Sequence, residues 1–233
     1  MLYCALRIND NTCEHTEVKN MEQARFNMVE QQIRPWDVFD SRVLELLTRI
    51  KREQFVPPAR LEMAFMDLEI PLGHGVSMWC PKLEGRALQE VRLERTDHVL
   101  EVGSGSGYLA ALLSHLAEHV TSVEIMPELH AFAEKNLAAH HIGNVTLALG
   151  DAAQGWPGLY DVIVLSGSVP VLPEAFQNSL KPGGRLFAIV GDAPAMQARL
   201  VTCVAPGVFE SVTLFETSIT PLQNARQPKR FVF

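Results

Sequence analysis

Cysteine is scarce and scattered: the chain has four, Cys4, Cys13, Cys80 and Cys203. They form no C-x-x-C pair and no spacing with histidine that suits a metal, so neither a disulfide framework nor a metal centre is expected. Such scatter fits a reducing cytosol, where cysteine serves as a small buried hydrophobe. Long apolar runs are missing too, and none approaches the roughly 20 residues that a membrane-spanning helix needs. Met1 to Ile8 lack the basic segment and small-residue cleavage site of an export signal, so a cytoplasmic location follows by elimination. Positive charge is in deficit, with 20 Lys and Arg against 27 Asp and Glu and a net charge of −7. A broad nucleic-acid partner needs clustered cations and is not expected. No internal repeat or low-complexity segment stands out.

What is present looks globular. The 233 residues, 47% hydrophobic and 20% charged, suffice for a sizeable core in one large or two small domains. Residues 1–20 have no clear periodicity and are expected to form a loosely ordered extension. A single domain then runs from 21 to 233, with a helical lead-in (21–97) and a core (98–233). In 21–33, Phe26, Val29 and Ile33 fall on one helical face, and Pro35 ends the helix. Val43, Leu44, Leu47 and Ile50 form the next stripe. Pro71, Gly73, Gly75 and Pro81 mark the stretch LEIPLGHGVSMWCP (68–81) as a loop, followed by a helix burying Leu83, Ala87, Leu88 and Val91.

From residue 98 strands and helices alternate, which predicts an α/β fold with a doubly wound, mostly parallel sheet. Strands are expected at 98–102, 119–125, 145–149, 161–165 and 185–190, with Pro127 opening a helix. Lys181 to Gly184 reads as a turn. Segments 200–204 and 208–216 read as an antiparallel pair completing the sheet.

The sharpest local signal is VLEVGSGSGY (99–108). Gly103, Gly105 and Gly107 sit where a buried strand turns into a helix, letting the backbone turn tightly and offering free amides to a ligand. The spacing is G-x-G-x-G, not the G-x-G-x-x-G of dinucleotide sites. Glu101 precedes the first glycine by two residues, where a cation is welcome and a pyrophosphate is not; the sulfonium of S-adenosylmethionine fits. Glu124, ending the second strand, suits the two ribose hydroxyls, and Asp151 after Gly150 suits the adenine amino group. Carboxyl ends of successive strands are where open α/β sheets bind ligands.

Together, the glycine turn, Glu124, Gly150–Asp151 and LKPGG (180–184) resemble class I S-adenosylmethionine-dependent methyltransferases. Within that superfamily the chain is similar to the protein-L-isoaspartate O-methyltransferase family, through MVEQQI (28–33), QFVP (54–57), IPLGHG (70–75), VLEVGSGSGYLAALL (99–113) and GDAAQGWP (150–157). The resemblance implies a Rossmann-like methyltransferase fold and S-adenosylmethionine as cofactor. It also implies isoaspartyl residues of damaged proteins as the substrate. The expected cofactor-binding residues are Glu101, Gly103, Ser104, Gly105, Gly107, Glu124, Ile125, Gly150, Asp151 and Ser166.

One departure concerns the acceptor. The family's loop after GHG reads Gln-Thr-Ile-Ser, its serine near the reacting carboxylate; here Ser77 takes the threonine position and Trp79 the serine position. Ser77 and Trp79 are the candidate catalytic-loop residues, and the indole is expected to fill part of the substrate pocket. Two other readings stay open: a different methyl acceptor, or a non-catalytic cofactor-binding paralogue. His74 reads as structural, because a carboxylate is already ionised at neutral pH and needs no general base. Ser166 and Gly167 read equally as pocket lining or plain turn, and Arg226, Lys229 and Arg230 as a solvated end.

Overall fold

The computed structural model describes the backbone of residues 10–228 and the side chains of residues 19–228. The side chains of Cys4, Cys13, Lys229 and Arg230 lie outside the described residues. Helix α1 (Asp10–Met28) crosses the expected boundary at residue 21 and runs into a π turn over Val29–Ile33. Val29 and Ile33 are buried as the spacing predicts, whereas Phe26 is 54% exposed. Arg25 takes the inward position instead, in a buried ion pair with Glu53. Periodicity cannot show such a pairing, because its partner lies 28 residues away. Pro35 opens a short 3-10 turn, and Asp37 at φ 60° ends the run.

Helix α2 (Ser41–Arg49) starts at Asp40, whose carboxylate accepts from the Arg42 amide at 2.9 Å, an N-cap that satisfies one of the free amides of the first turn. The stretch expected to be a loop at 68–81 is a hairpin: β1 (Ile70–Gly73) pairs antiparallel with β2 (Val76–Met78). Gly73, His74 and Gly75 all have positive φ and make its tip. The glycines that suggested a loop supply the turn; the strands, of four and three residues, are too short to show alternation. Helix α3 (Pro81–Val91) follows, with Pro81 at its first turn and Leu83, Ala87, Leu88 and Val91 buried.

The core alternates as expected: β3 (His98–Val102), α4 (Tyr108–Ser114), β4 (His119–Glu124), α5 (Pro127–Ala139), β5 (Val145–Leu149) and β6 (Tyr160–Leu165). A short α6 (Glu174–Asn178) leads to β7 (Leu180–Val190), β8 (Met196–Ala205) and β9 (Val208–Thr217). The expected turn at Lys181–Gly184 instead belongs to β7, whose register against β6 shifts between Tyr160 and Val162. Glycine without Cβ suits that irregularity, since a Cβ on Gly184 would lie 2.8 Å from the Lys181 carbonyl oxygen.

The seven-stranded sheet runs β5-β4-β3-β6-β7-β8-β9, parallel through β7 and antiparallel at β8 and β9. Period-two alternation sends side chains to two cores. Val99, Val162, Val164, Phe187 and Ile189 face the lead-in helices, while Leu100, Ile163, Leu165, Leu186 and Ala188 face the other side. The chain leaves β3 towards β4 and β5, then returns to place β6 on the other side of β3. That reversal opens a crevice at the carboxyl ends of β3 and β6.

Candidate active site

A solvent-open cleft of about 680 Å³ occupies that crevice. Its floor is the turn after β3. Gly103, Gly105 and Gly107 have φ of 99°, 53° and 80°, the left-handed region that favours glycine. Gly107 begins α4, and a Cβ there would lie 3.2 Å from the Ala133 Cα, so the position also sets how closely α4 approaches α5.

Glu124 is 5% exposed and does more than face the cleft. Its Oε2 accepts from the Gly105 amide at 2.9 Å and its Oε1 from the Met126 amide at 3.0 Å. It therefore braces the glycine turn while each oxygen keeps a lone pair for a ligand. Asp151, at the exposed rim, accepts from the Ala153 amide at 2.9 Å and from Asn224 Nδ2 at 2.8 Å. Ile125, Gly150 and Ser166 also line this cleft.

A smaller space of about 330 Å³ adjoins it, and the two share Leu72, Ser77, Gly103, Gly105 and Ser166. Glu101 and Trp79 belong to this inner chamber. Glu101 is fully buried; Ser122 Oγ donates to its Oε2, and Oε1 has no partner. Burial pushes its carboxyl up to about 8, against the opposing pull of the Ser122 hydrogen bond, with a lesser upward push from the Glu124 charge. Ser104 also turns inward: its hydroxyl lies 2.6 Å from that of Ser122, whose own proton is given to Glu101.

Trp79 is 5% exposed, its ring edge-on to Phe187 at 6.1 Å and its carbonyl held by Arg52 Nη2. Arg52 is wholly buried, ion-paired to Glu84, and donates a further bond to the Ala64 carbonyl at 3.0 Å. Burial raises the Glu84 carboxyl to about 7, opposed by the attraction of Arg52. The exposed His74 lies at the hairpin tip and lines neither space.

All twelve residues singled out for catalysis and cofactor binding converge on this end of the sheet, with Gly107 behind the wall as the start of α4. Several others were not foreseen. Tyr108 and Glu84 line the inner chamber. Thr220, Pro221, Leu222 and Gln223 form a strap on the outer wall. The strap is fixed by Leu222 donating to the Ser168 carbonyl at 2.9 Å, and a Cβ on Gly167 would meet Leu222 at 2.8 Å. Its residues carry no charge and no pattern, so only the tertiary contact reveals them.

Residues 23–224 match the family described as Protein-L-isoaspartate(D-aspartate) O-methyltransferase (PCMT). The chain belongs to that family. It is a methyltransferase whose relatives include the protein-L-isoaspartate O-methyltransferase of Rhodopseudomonas palustris, 35% identical over 85% of this chain and 92% of the relative. The enzyme of that name from Methanoculleus marisnigri is 37% identical over 75% of this chain and 80% of its own length. The fold is shared with a Plasmodium falciparum protein described as a protein-L-isoaspartate O-methyltransferase in complex with S-adenosyl-L-homocysteine. That structure has a TM-score of 0.75 at 21% identity, over 85% of this chain and 98% of the other. Among the described residues no helix is long and apolar enough to cross a membrane.

Proposed function

We propose that this chain is an S-adenosylmethionine-dependent carboxyl methyltransferase that esterifies L-isoaspartyl residues of damaged proteins. Beside family membership, the observation that carries the cofactor is Glu101: a fully buried acid with an unpaired oxygen, against a glycine turn at a strand's carboxyl end. A buried acid with no cation beside it fits a positively charged ligand. S-Adenosylmethionine supplies a methyl on a sulfonium: a carboxylate oxygen forms the new C–O bond as the C–S bond breaks and its electron pair stays on sulfur.

In this reading Gly103, Gly105 and Gly107 give the backbone close approach, Ser104 and Ser122 orient Glu101, and Glu124 takes the ribose hydroxyls. Asp151 takes the adenine amino group, with Ile125 and Gly150 against the base and Ser166 between cofactor and acceptor. Ser77 and Trp79 face the acceptor. An isoaspartyl carboxylate is ionised at neutral pH, so no side chain has to remove a proton. The protein's part is to hold oxygen, methyl and sulfur in line and to exclude water, which the strap and the hairpin do from either side. The free thiols Cys80 and Cys203 agree with action in the cytoplasm.

The test is incubation with labelled S-adenosylmethionine and an isoaspartyl peptide, reading S-adenosylhomocysteine release and a peptide gain of one methyl. Tight S-adenosylhomocysteine binding without turnover would refute the acceptor assignment and leave the cofactor assignment intact.

A further inference from the structure

The amino-terminal end of the sheet, away from the crevice, carries a second space. A solvent-open cavity of about 530 Å³ lies between α2, the turn that leads into β3 and the end of α4. Leu46, Leu93 and Leu116 give it an apolar lining. Three arginines, Arg42, Arg49 and Arg95, stand around it with a single acid, Glu45, and one histidine, His115. In a chain of net charge −7, that excess of cations runs against the overall balance.

The three arginines are not equally committed. Arg42 is held by Asp40 at 3.0 Å, has the Glu94 charge nearby and gives its Nη1 to the Leu93 carbonyl at 3.3 Å, so it belongs to the wall. Arg49 and Arg95 have no side-chain partner among the described residues. Arg49 stands four residues after Glu45 on α2, a spacing at which a helix pairs opposite charges. The same spacing pairs Arg34 with Glu30 and Arg86 with Glu90, yet Glu45 and Arg49 do not meet. Both therefore bring an unmet charge to the cavity. His115 adds a third group. Its Nδ1 lies 2.8 Å from the Ala111 carbonyl, which can only accept, so the proton sits on Nδ1 and Nε2 is left without a protein partner.

Independently of the methyltransferase reading, we propose that this cavity is a second ligand site and takes a nucleoside monophosphate. Two free guanidiniums match the charge and the fork geometry of a phosphate dianion. A phosphate, whose second pKa is about 6, also shares a proton with His115 Nε2. A carboxylate, ionised well below neutral pH, does not. The leucines receive the flat face of the base, and Glu45 accepts from its exocyclic amino group. A nucleic-acid strand is a poorer match, because it needs a track of cations and only two here are free.

Calorimetry on the full chain in excess S-adenosylhomocysteine tests this, the excess keeping a purine out of the crevice. Adenosine monophosphate should bind about tenfold or more tightly than either adenosine or inorganic phosphate. Arg49→Gln and Arg95→Gln should each weaken it about tenfold, the loss of one charge-assisted hydrogen bond. Their urea midpoints and their S-adenosylhomocysteine affinity should stay unchanged, since neither side chain holds the fold. Glu45→Ala should weaken adenosine monophosphate but tighten inorganic phosphate, because it removes an acceptor from the base and a repelling charge from the anion. Purine riboside monophosphate, which lacks the amino group, should bind the parent as weakly as adenosine monophosphate binds Glu45→Ala. Three results overturn the proposal: adenosine monophosphate binding no tighter than inorganic phosphate, binding indifferent to both arginine substitutions, or binding only when S-adenosylhomocysteine is withheld.

Discussion

Glu101 and Glu124 lie close together and differ in what surrounds them. Glu124 has two amide donors, whereas Glu101 has one hydroxyl donor and full burial, which pushes its carboxyl up from 4.5 to about 8. Near neutral pH the free protein therefore holds Glu101 protonated. A cationic ligand favours the ionised form, so binding of S-adenosylmethionine should release a proton at pH 7 and tighten as pH rises from about 6 to 8. Calorimetry in buffers of different ionisation enthalpy reads that proton. Glu101→Gln should abolish its release and weaken S-adenosylmethionine more than S-adenosylhomocysteine, which lacks the sulfonium charge. The same shift sets a stability trend. A folded-state pKa raised above the unfolded one gives a contribution that is complete below pH 4.5 and is lost as pH climbs through about 8. The thermal midpoint of Glu101→Gln should accordingly fall less than that of the parent between pH 5 and 8. Glu124→Ala removes the acceptor of two amides at once and should cost about 1–3 kcal/mol in urea denaturation, besides weakening cofactor binding.

At the scale of elements, the turn between β3 and α4 shows why its sequence was readable. Three glycines at alternate positions are needed because three residues have positive φ, and each is a local requirement visible without the rest of the fold. Gly107 adds a packing requirement: its missing Cβ admits the Ala133 backbone at 3.2 Å. Gly107→Ala should therefore cost about 2 kcal/mol or more in thermal or urea unfolding, since strained φ and close approach act together, and should lower S-adenosylhomocysteine affinity. The central parallel strands β3 and β6 were equally readable, because burial on both faces makes them largely apolar runs. The hairpin of β1 and β2 was not: two very short strands give no period, and only their pairing across the Gly73–Gly75 tip defines them. Phe26 and Arg25 show the same limit in α1, where a distant Glu53 decides which side chain turns inward.

Across the whole molecule, one buried cluster joins the lead-in to the core. Arg52 touches Glu84 on α3, the Ala64 carbonyl, the Trp79 carbonyl after the hairpin and the face of Tyr108 at 5.3 Å. Removing one member of a fully buried ion pair leaves an unpaired charge and costs about 3–5 kcal/mol. Arg52→Met should lose that much in urea denaturation, whereas Arg52→Met with Glu84→Leu should recover most of it. Methyltransfer should fall in both, because the clamp on the Trp79 backbone is gone. A double variant no more stable than the single one would show that the cluster acts through shape alone.

The sequence by itself determined the fold class, the positions of the core strands and the end of the sheet where the candidate residues gather. Those depend on local facts: alternation, continuous apolar runs, and glycines that a turn requires. It also brought Glu101, Glu124 and Asp151 together correctly, because topology puts successive strand ends on one edge. Only the tertiary structure decided what each acid does. Glu124 became a brace through amides that fold back onto it, Glu101 a buried neutral acid through the layers that cover it, and Asp151 a partner of Asn224, 73 residues away. It also buried Trp79, its ring edge-on to Phe187 and its carbonyl held by Arg52, contacts that no spacing along the chain connects.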